Sequence, residues 1–380
     1  MKDAPLVVVQ RRLVHYRVPF FEALREALAA QGTPLRLLAG PCPPAEHDRQ
    51  DQGHLPWAEP VPTRYLLGGR LCWMQLAPLL AGAGWVVLPQ ENRLAAQWPL
   101  LLRPQPFRVA VWGHGTNLQA PRPGQGAAHQ WRRRLLRGAD WALAYTEASV
   151  PWMRAELPRE RITVLDNAVD TRALQHHLSE ARTAGVPALR RALGLGPGPV
   201  LLFLGALVPH KGVDVALQAA SQLRVRFPTL ELVVAGSGPL GGWLAEAAGA
   251  LPWVHRPGAV HGADKARWLA AADVMVNPGQ VGLGVFDGFA AGLPLVTCQG
   301  IAHPPEAAYL RHEVNALLVA PGPDAVARAV QGLLDDPEGR NRLGRGALDS
   351  ASRHTLKNMV SQFVTGVAMW QASAPRRPDA

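Results

Sequence analysis

The segment 273–297, DVMVNPGQVGLGVFDGFAAGLPLVT, carries the residues whose types and spacing most directly indicate chemistry. An apolar run near its start predicts a buried strand, a glycine turn and an apolar helix follow, and a second strand-like run ends it. This order presents free backbone N–H groups to an anionic ligand at a helix N-terminus. The turn holds Gly282, Leu283 and Gly284. Asp287 falls about one turn into the helix, where its carboxylate could accept hydrogen bonds from a sugar hydroxyl.

His114 is a second candidate, because it stands between two glycines directly after the apolar run 107–112. A side chain at the carboxyl end of a parallel strand can project into a ligand-binding cleft. An imidazole there can give or take a hydrogen bond near neutral pH. The alternative is a structural histidine in a glycine turn.

The spacing of potential metal ligands gives no sign of a metal centre. The chain has no H-x-x-x-H, no C-x-x-C and no D-x-D element, and these are the spacings that common metal sites use. We therefore expect no catalytic metal and no bound cofactor. The three cysteines suggest no disulfide framework, which fits a reducing compartment.

The elements that must position these residues alternate between strand and helix in both halves of the chain. Short apolar runs bounded by glycine and proline, such as 6–9, 85–88 and 200–204, predict parallel strands buried on both faces. A chain of 380 residues is long enough for two cores. We predict an α/β protein of two doubly wound Rossmann-like domains facing a cleft, divided as a first domain over 1–170, a linker over 171–199, a second domain over 200–350, and a C-terminal helix with a frayed tail over 351–380.

The chain is strongly basic, with a formal net charge of +10 and a sequence pI near 10.3. Its densest basic run is Arg132, Arg133 and Arg134 with Arg137 nearby. A solvated arginine-rich face explains this plainly, and an anionic membrane surface is the main functional alternative. No apolar run approaches the roughly 18 residues that a membrane span requires, and the start MKDAPLVVVQRR is unlike a signal peptide. The aromatic-plus-basic pattern of an RNA-binding sheet is missing, so we expect no nucleic-acid partner.

Several motifs resemble the GT-B glycosyltransferases, most closely glycosyltransferase family 4, whose members are retaining and nucleotide-sugar dependent. Four segments of the second half resemble family motifs in the family's order. Residues 201–220 resemble the strand–G-R-L–x–K-G–helix element, and residues 230–240 resemble the V-x-G-x-G-P turn. Residues 271–279 resemble the A-D-V-x-x-x-P strand, and residues 281–296 resemble the G-L-x-x-x-E-A-x-A-x-G-x-P-V segment. The segments 15–24 and 109–115 resemble elements of the family's first domain, and 164–171 resembles its interdomain N-G-V-D turn. The resemblance implies a GT-B fold with a C-terminal helix that returns to the first domain.

The resemblance also implies roles for individual residues. Lys211 would contact the donor diphosphate, and it is one of only four lysines against 35 arginines, which argues that a lysine there is not accidental. Asp287 would hold the ribose, and His114 would face the reacting sugar. The other implied donor-binding residues are Gly205, Gly236, Gly282, Leu283, Gly284 and Glu306. The implied acceptor or membrane side comprises His15, Tyr16, Arg17, Arg132, Arg133 and Arg134.

Two positions depart from the family pattern. The family's partner arginine is replaced by Ala206, and its first glutamate, which holds donor sugar hydroxyls, is replaced by Gly279. His210 or an arginine from another segment could supply the missing positive charge. Both departures bear on the donor site.

Two functions of different classes remain open. The first is a glycosyltransferase that moves a sugar from a UDP- or GDP-sugar to a lipid-linked or polysaccharide acceptor, with retention and without metal, as in lipopolysaccharide or exopolysaccharide synthesis. The second is a degenerate nucleotide-binding or scaffold subunit, which Ala206 and Gly279 suggest. A nicotinamide-dependent enzyme is remote, because no G-x-G-x-x-G opens the first half. The expected location is the cytoplasm, with peripheral attachment to the inner face of the cell membrane as the variant that the basic charge favours.

Overall fold

The computed structural model describes residues 4–43, 46, 51–119 and 123–375. The chain divides into two units: the first contains Met1–Asp170 and Leu356–Ala380, and the second is Thr171–Thr355. Each unit contains one main parallel sheet. Residues 376–380 of the predicted frayed tail lie outside the described residues.

The first unit is built on a seven-stranded sheet in which every neighbouring pair of strands is parallel. Its strands and those of a separate hairpin are β1 (Leu6–Gln10), β2 (Leu35–Ala39), β3 (Glu59–Pro60), β4 (Thr63–Leu66), β5 (Leu71–Met74), β6 (Trp85–Pro89), β7 (Arg108–Gly113), β8 (Trp141–Ala144) and β9 (Ile162–Val164). The strand order is β3-β2-β1-β6-β7-β8-β9. The helices before residue 171 are α1 (Val18–Ala29), α2 (Gln97–Leu102), α3 (Ala127–Arg137) and α4 (Val150–Met153).

The central strands form where the sequence has continuous apolar runs. All of β6 and β7 is buried, as expected for parallel strands covered by helices on both faces. Strands β4 and β5 do not join this sheet. They form an antiparallel hairpin, which the sequence analysis did not identify.

The second unit is built on a six-stranded parallel sheet of order β12-β11-β10-β13-β14-β15. Its strands are β10 (Val200–Leu204), β11 (Glu231–Ala235), β12 (Val254–Gly258), β13 (Val274–Val276), β14 (Leu295–Cys298) and β15 (Ala316–Val319). Its helices are α5 (Arg172–Arg182), α6 (Val186–Ala192), α7 (Val213–Leu223), α8 (Gly241–Ala248), α9 (Gly262–Ala271), α10 (Gly284–Ala291), α11 (Pro323–Asp335) and α12 (Pro337–Arg353). The order reverses between β10 and β13, and such switch points are where open α/β sheets bind ligands.

The stretch 171–199, expected from its glycines and prolines to be a linker, contains helices α5 and α6. Leu174, Leu178 and Leu189 are buried, and α5 packs against α9 within the second unit. The apolar spacing of α5 therefore determines the structure here, and the glycines mark helix ends rather than an extended connection.

The last helix, α13 (Leu356–Ala372), belongs to the first unit and packs on α1. Its Phe363 ring lies 5.8 Å from the ring of Phe20 and 5.6 Å from that of Trp112. The expectation that the C-terminal helix returns to the first domain is confirmed. Across the described part of the chain, no helix combines the length and apolarity needed to cross a membrane.

Candidate functional site

A cavity of about 350 Å³ lies in the second unit, beside the carboxyl ends of β10, β11 and β13. Six of the eight predicted donor-binding residues line it: Gly205, Lys211, Gly236, Gly282, Gly284 and Asp287. Ala206 also lines it. Lys265, Asn277 and Gln280 are among the lining residues that were not identified from the sequence. The cavity thus gathers residues that are separated by more than 80 positions in the chain.

The ammonium group of Lys211 is held inside this cavity. Its Nζ donates to the carbonyl oxygen of Gln280 at 2.7 Å. Burial lowers the pKa of Lys211, and the charge of Glu306 partly opposes this. The cavity therefore holds a half-buried cation, which a bound anion would stabilise.

The backbone of residues 210–211 pairs with the backbone of residues 279–280. The N–H of Gly279 donates to the carbonyl of Lys211 at 3.1 Å, and the N–H of Gln280 donates to the carbonyl of His210 at 2.8 Å. A Cβ atom at position 279 would lie 2.3 Å from the carbonyl carbon of Lys211 and 2.4 Å from the carbonyl oxygen of His210. Glycine at this position is therefore what allows the two loops to pair, and the space for a side chain is filled by backbone.

The turn before α10 offers unpaired backbone donors. Within the described ranges, the N–H groups of Gly282 and Leu283 donate to no protein acceptor. His303 fixes the preceding residue: its Nδ1 accepts from the N–H of Val281 at 3.2 Å, while its Nε2 donates to the carbonyl of Cys298 at 2.7 Å. The predicted glycine turn is thus formed before α10, and anion binding there stays a prediction. His303, which was not identified from the sequence, holds the turn in place.

Asp287 projects into the cavity, but its carboxylate already has a partner. Nζ of Lys265 donates to its Oδ1 at 2.7 Å, and both side chains are partly buried. Lys265 lies on α9 and lines the same cavity. His210, which was considered as a substitute for the missing arginine, is exposed and does not line the cavity. The second lysine that lines the cavity is Lys265, whose ammonium group is paired with Asp287.

Asn277 adds a buried acceptor. Its Nδ2 donates to the carbonyl of Leu204 at 3.0 Å, which fixes the orientation of the amide. Its Oδ1 is buried and has no hydrogen-bond partner among the described residues. A buried carbonyl oxygen without a donor is costly, so a ligand N–H or O–H would find an acceptor here.

Leu283 and Glu306 do not line the cavity itself. Glu306 is buried behind the turn, and its Oε2 would lie 3.7 Å from a Cβ atom at Gly282. Its charge acts on Lys211 rather than on open cavity space.

His114 belongs to the first unit and follows β7, as predicted. Its ring lies 4.0 Å from the ring of Tyr145. Its Nδ1 is buried and has no hydrogen-bond partner among the described residues. Burial and the charges of Arg17 and Arg132 lower the pKa of His114 to about 4. The imidazole is therefore neutral at physiological pH, and a hydrogen bond rather than a charge is what it can offer.

Arg17, expected on the acceptor or membrane side, is instead only 4% exposed. Its guanidinium lies over the rings of Trp112 and Tyr145 at 5.0 and 5.3 Å, and its Nη2 donates to Oδ1 of Asn167 at 2.6 Å. Remote aromatic residues therefore cover this side chain, and its place on the acceptor or membrane side stays a prediction. Its neighbour His15 is exposed and Tyr16 is partly exposed.

We expect Arg17→Ala to lower the free energy of unfolding of the first unit by about 3 kcal/mol, because it empties a packed aromatic site and removes the hydrogen bond that Arg17 donates to Asn167. Urea unfolding followed by tryptophan fluorescence measures this. Arg25→Ala is the matched control, since Arg25 is exposed and lies over Trp57 at 4.7 Å. Equal unfolding curves for the two variants would show that the buried cation does not support the fold.

The basic run on α3 is largely engaged within the protein. Arg133 and Arg137 both donate to the carboxylate of Glu156, whose side chain is 3% exposed. Arg132 is partly buried, and burial lowers its pKa. Of the predicted group 132–134, Arg134 alone is exposed.

Comparison with known proteins finds a family match within the second unit. Residues 198–336 match the family described as glycosyl transferases group 1. A D-inositol 3-phosphate glycosyltransferase of Catenulispora acidiphila is 33% identical over 51% of this chain and 47% of its own length. A GDP-mannose-dependent phosphatidylinositol monomannoside mannosyltransferase of Mycolicibacterium smegmatis is 28% identical over 47% of this chain and 50% of its own length. The chain thus spans about half the length of these curated relatives.

Solved structures resemble the whole chain. The Anabaena protein HepE, crystallised with UDP, aligns with a TM-score of 0.65 at 16% identity, covering 96% of this chain and 99% of that one. At this identity the likeness shows the fold alone. Together with the two parallel-sheet units, it confirms the prediction of a GT-B architecture. The resemblance to glycosyltransferases is supported by the family match over residues 198–336.

Proposed function

We propose that this chain, whose fold is GT-B and whose second unit carries a glycosyl transferases group 1 domain, is a glycosyltransferase that takes its sugar from a nucleotide diphosphate sugar. The observation that carries the proposal is the cavity of the second unit, which is lined by Lys211, Lys265 and Gly282. Among the described residues, the N–H of Gly282 has no protein acceptor, so it is available to an anion together with the two ammonium groups. A diphosphate is the anion that this arrangement suits, because aligned N–H dipoles and cations both stabilise phosphate oxygens.

The same groups would act on the leaving group. Sugar transfer increases the negative charge on the β-phosphate as the glycosidic bond breaks, so a preorganised cation stabilises the transition state more than the ground state. Lys211 is the proposed catalytic cation, and Lys265 takes the place that the family gives to the arginine missing at Ala206. Retention by a front-face displacement, with a departing phosphate oxygen deprotonating the acceptor, and transfer without metal are parts of the proposal that follow from the family resemblance.

The ribose and the base would occupy the rest of the cavity. Asp287 is the proposed ribose ligand, and its ion pair with Lys265 holds the carboxylate in one orientation. Asn277 offers its unpaired Oδ1 to a donor hydroxyl or N–H of the nucleotide-sugar. UDP and GDP are both candidates: HepE was crystallised with UDP, and the Mycolicibacterium relative is described as GDP-mannose dependent.

His114 is proposed to hydrogen-bond a hydroxyl of the transferred sugar in its neutral form. The proposed acceptor is a lipid-linked or polysaccharide precursor, of the kind used in lipopolysaccharide or exopolysaccharide synthesis. The relative that acts on a phosphatidylinositol mannoside supports a lipid-linked acceptor. The proposed location is the cytoplasm, with peripheral attachment to the membrane.

Nucleotide titration tests the proposal. We expect UDP or GDP to bind the purified chain, and Asp287→Ala to weaken binding by about tenfold, because the ribose loses a charge-assisted hydrogen bond. Calorimetry with each nucleotide measures the affinity, and Asp264→Ala is the matched control, since Asp264 is an exposed carboxylate on α9.

Measurements on the same purified protein distinguish the glycosyltransferase from the alternative, a scaffold subunit without turnover. Binding without hydrolysis or transfer for any nucleotide-sugar would favour a nucleotide-binding scaffold, for which Ala206 and Gly279 remain the argument. The absence of binding to both nucleotides would overturn the donor site itself.

A further inference from the structure

The hairpin of β4 and β5 has one face that is fixed to the first unit. Cys72 and Met74 are buried, the hydroxyl of Tyr65 donates to the carbonyl of Pro41 at 2.9 Å, and the N–H of Cys72 donates to the carbonyl of Arg93 at 2.7 Å. The hairpin is thus a firmly attached part of the unit rather than a loose loop.

The opposite face of the hairpin is uncovered. Arg64 pairs with Trp73 across the two strands, and Leu66 pairs with Leu71. Because side chains alternate along a strand, these four share the face that points away from the core. Trp73 is 45% exposed and Leu66 is 49% exposed. Large apolar side chains therefore stand next to a guanidinium on one exposed surface.

The turn of the hairpin extends this surface. Leu67 is 71% exposed and has a positive φ of 52°, followed by Gly68 and Gly69 at 63° and 85°. A leucine in the left-handed region is unfavourable, and here the conformation leaves its side chain in solvent at the tip. Neither local backbone preference nor core packing accounts for an apolar residue at this position.

The charge of the hairpin has a single sign. Arg64 and Arg70 are exposed and form no ion pair among the described residues. The sequence from Pro60 to Gln90 contains no aspartate or glutamate. Arginines next to exposed tryptophan and leucine are the combination found at membrane–water interfaces, where the ring lies at the headgroup level and the cations meet lipid phosphates.

We infer that the outer face of this hairpin, defined by Arg64, Leu66, Leu67, Arg70 and Trp73, docks the protein on an anionic phospholipid surface. The inference deepens the proposed function, on which it rests for a lipid-linked acceptor. It places the contact at the hairpin and not at the basic run of α3, where Arg133 and Arg137 already bind Glu156. A lipid surface suits this face better than a protein partner does. The few exposed apolar side chains of the face could bury less area than a stable protein interface buries.

Vesicle flotation tests this with the whole 380-residue chain. We expect it to bind vesicles of phosphatidylcholine with added phosphatidylglycerol, to bind pure phosphatidylcholine far less, and to dissociate as salt is raised. The double variant Arg64→Gln/Arg70→Gln should weaken binding to the anionic vesicles by about tenfold or more, since each arginine contributes roughly fivefold. Leu67→Asn/Trp73→Ser should weaken it on the same vesicles, and asparagine tolerates the positive φ at position 67.

The matched control is Val225→Ser/Arg345→Gln, because both residues are exposed in the second unit and Arg345 has no ion-pair partner among the described residues. Control binding equal to wild type supports the proposal. Nucleotide affinity, measured on every variant, reports the cavity of the second unit, so failure of the hairpin proposal and failure of the donor site are distinguishable. Equal vesicle binding of wild type and both hairpin variants would overturn the docking proposal. The proposal would also be overturned if the hairpin were required for self-association, or for binding to another protein, but not for binding to vesicles.

Discussion

Lys211→Met is expected to lower kcat for sugar transfer by about 10²–10³-fold, the usual cost of removing one group that stabilises developing negative charge. Methionine keeps much of the length and volume of the lysine stem, so the loops around position 211 can keep their packing. What disappears is the cation that Nζ presents within the cavity, where it donates to the carbonyl of Gln280. Steady-state kinetics with the best nucleotide-sugar found by screening measures the effect.

The control for this change is Lys357→Met, because Lys357 is exposed on α13 of the first unit. A fall in both kcat and nucleotide affinity at position 211, with neither at 357, fits a phosphate ligand. Unchanged kcat in Lys211→Met would contradict the proposed role directly.

The pH dependence of binding gives a second readout of the same residue. Burial lowers the pKa of Lys211 from its ordinary value, and a bound diphosphate would favour the charged form. Nucleotide affinity should therefore be highest at pH values below the pKa that Lys211 has in the free protein, and it should fall as the pH rises through that pKa. Lys211→Met should lack that decline.

The sequence predicted the sheets well because parallel strands buried on both faces leave continuous apolar runs. It also placed Lys211 and Asp287 in one site, because both belong to motifs that follow strands at the same edge of the sheet. Lys265 could not be found in this way. It lies on α9, outside any motif quoted above, and its role becomes visible only when its Nζ is seen 2.7 Å from Asp287.

Arg17 and the hairpin also depend on contacts between distant parts of the chain, which the sequence pattern did not predict. An arginine near the start of a helix is usually exposed, yet Trp112 and Tyr145, about 100 residues away in the chain, close over Arg17. The hairpin was not predicted because its two strands are short. Their alternation of buried and exposed residues arises only when the two segments pair with each other. Burial that depends on distant segments is the part that local pattern does not encode.

Gly279 changes the meaning of the missing glutamate. From the sequence, the position looked like a carboxylate simply removed from an otherwise ordinary site. In the structure, the backbone of 210–211 fills the space that a side chain would need, and the same backbone contact places Lys211. The absence of the carboxylate and the position of Lys211, the proposed catalytic cation, are therefore linked through one backbone contact. In the proposed function, a donor sugar must find its hydrogen bonds elsewhere, and Asn277 is a candidate because it lines the cavity and its buried Oδ1 has no partner among the described residues.

Gly279→Glu is accordingly expected to abolish measurable nucleotide binding, with a loss of affinity of 100-fold or roughly 3 kcal/mol, rather than to restore a sugar ligand. The Cβ atom alone would stand 2.3 Å from the carbonyl carbon of Lys211, so the two loops must separate and Lys211 must leave its place. Gly279→Ala should therefore reproduce most of the loss, which separates the backbone clash from any effect of charge. Gly241→Ala is the control, because a Cβ atom at 241 meets no atom within 4 Å. If Gly279→Glu bound nucleotide-sugar as tightly as wild type while Gly279→Ala did not, the carboxylate would have found its family position, and the coupling of Gly279 to Lys211 would be refuted.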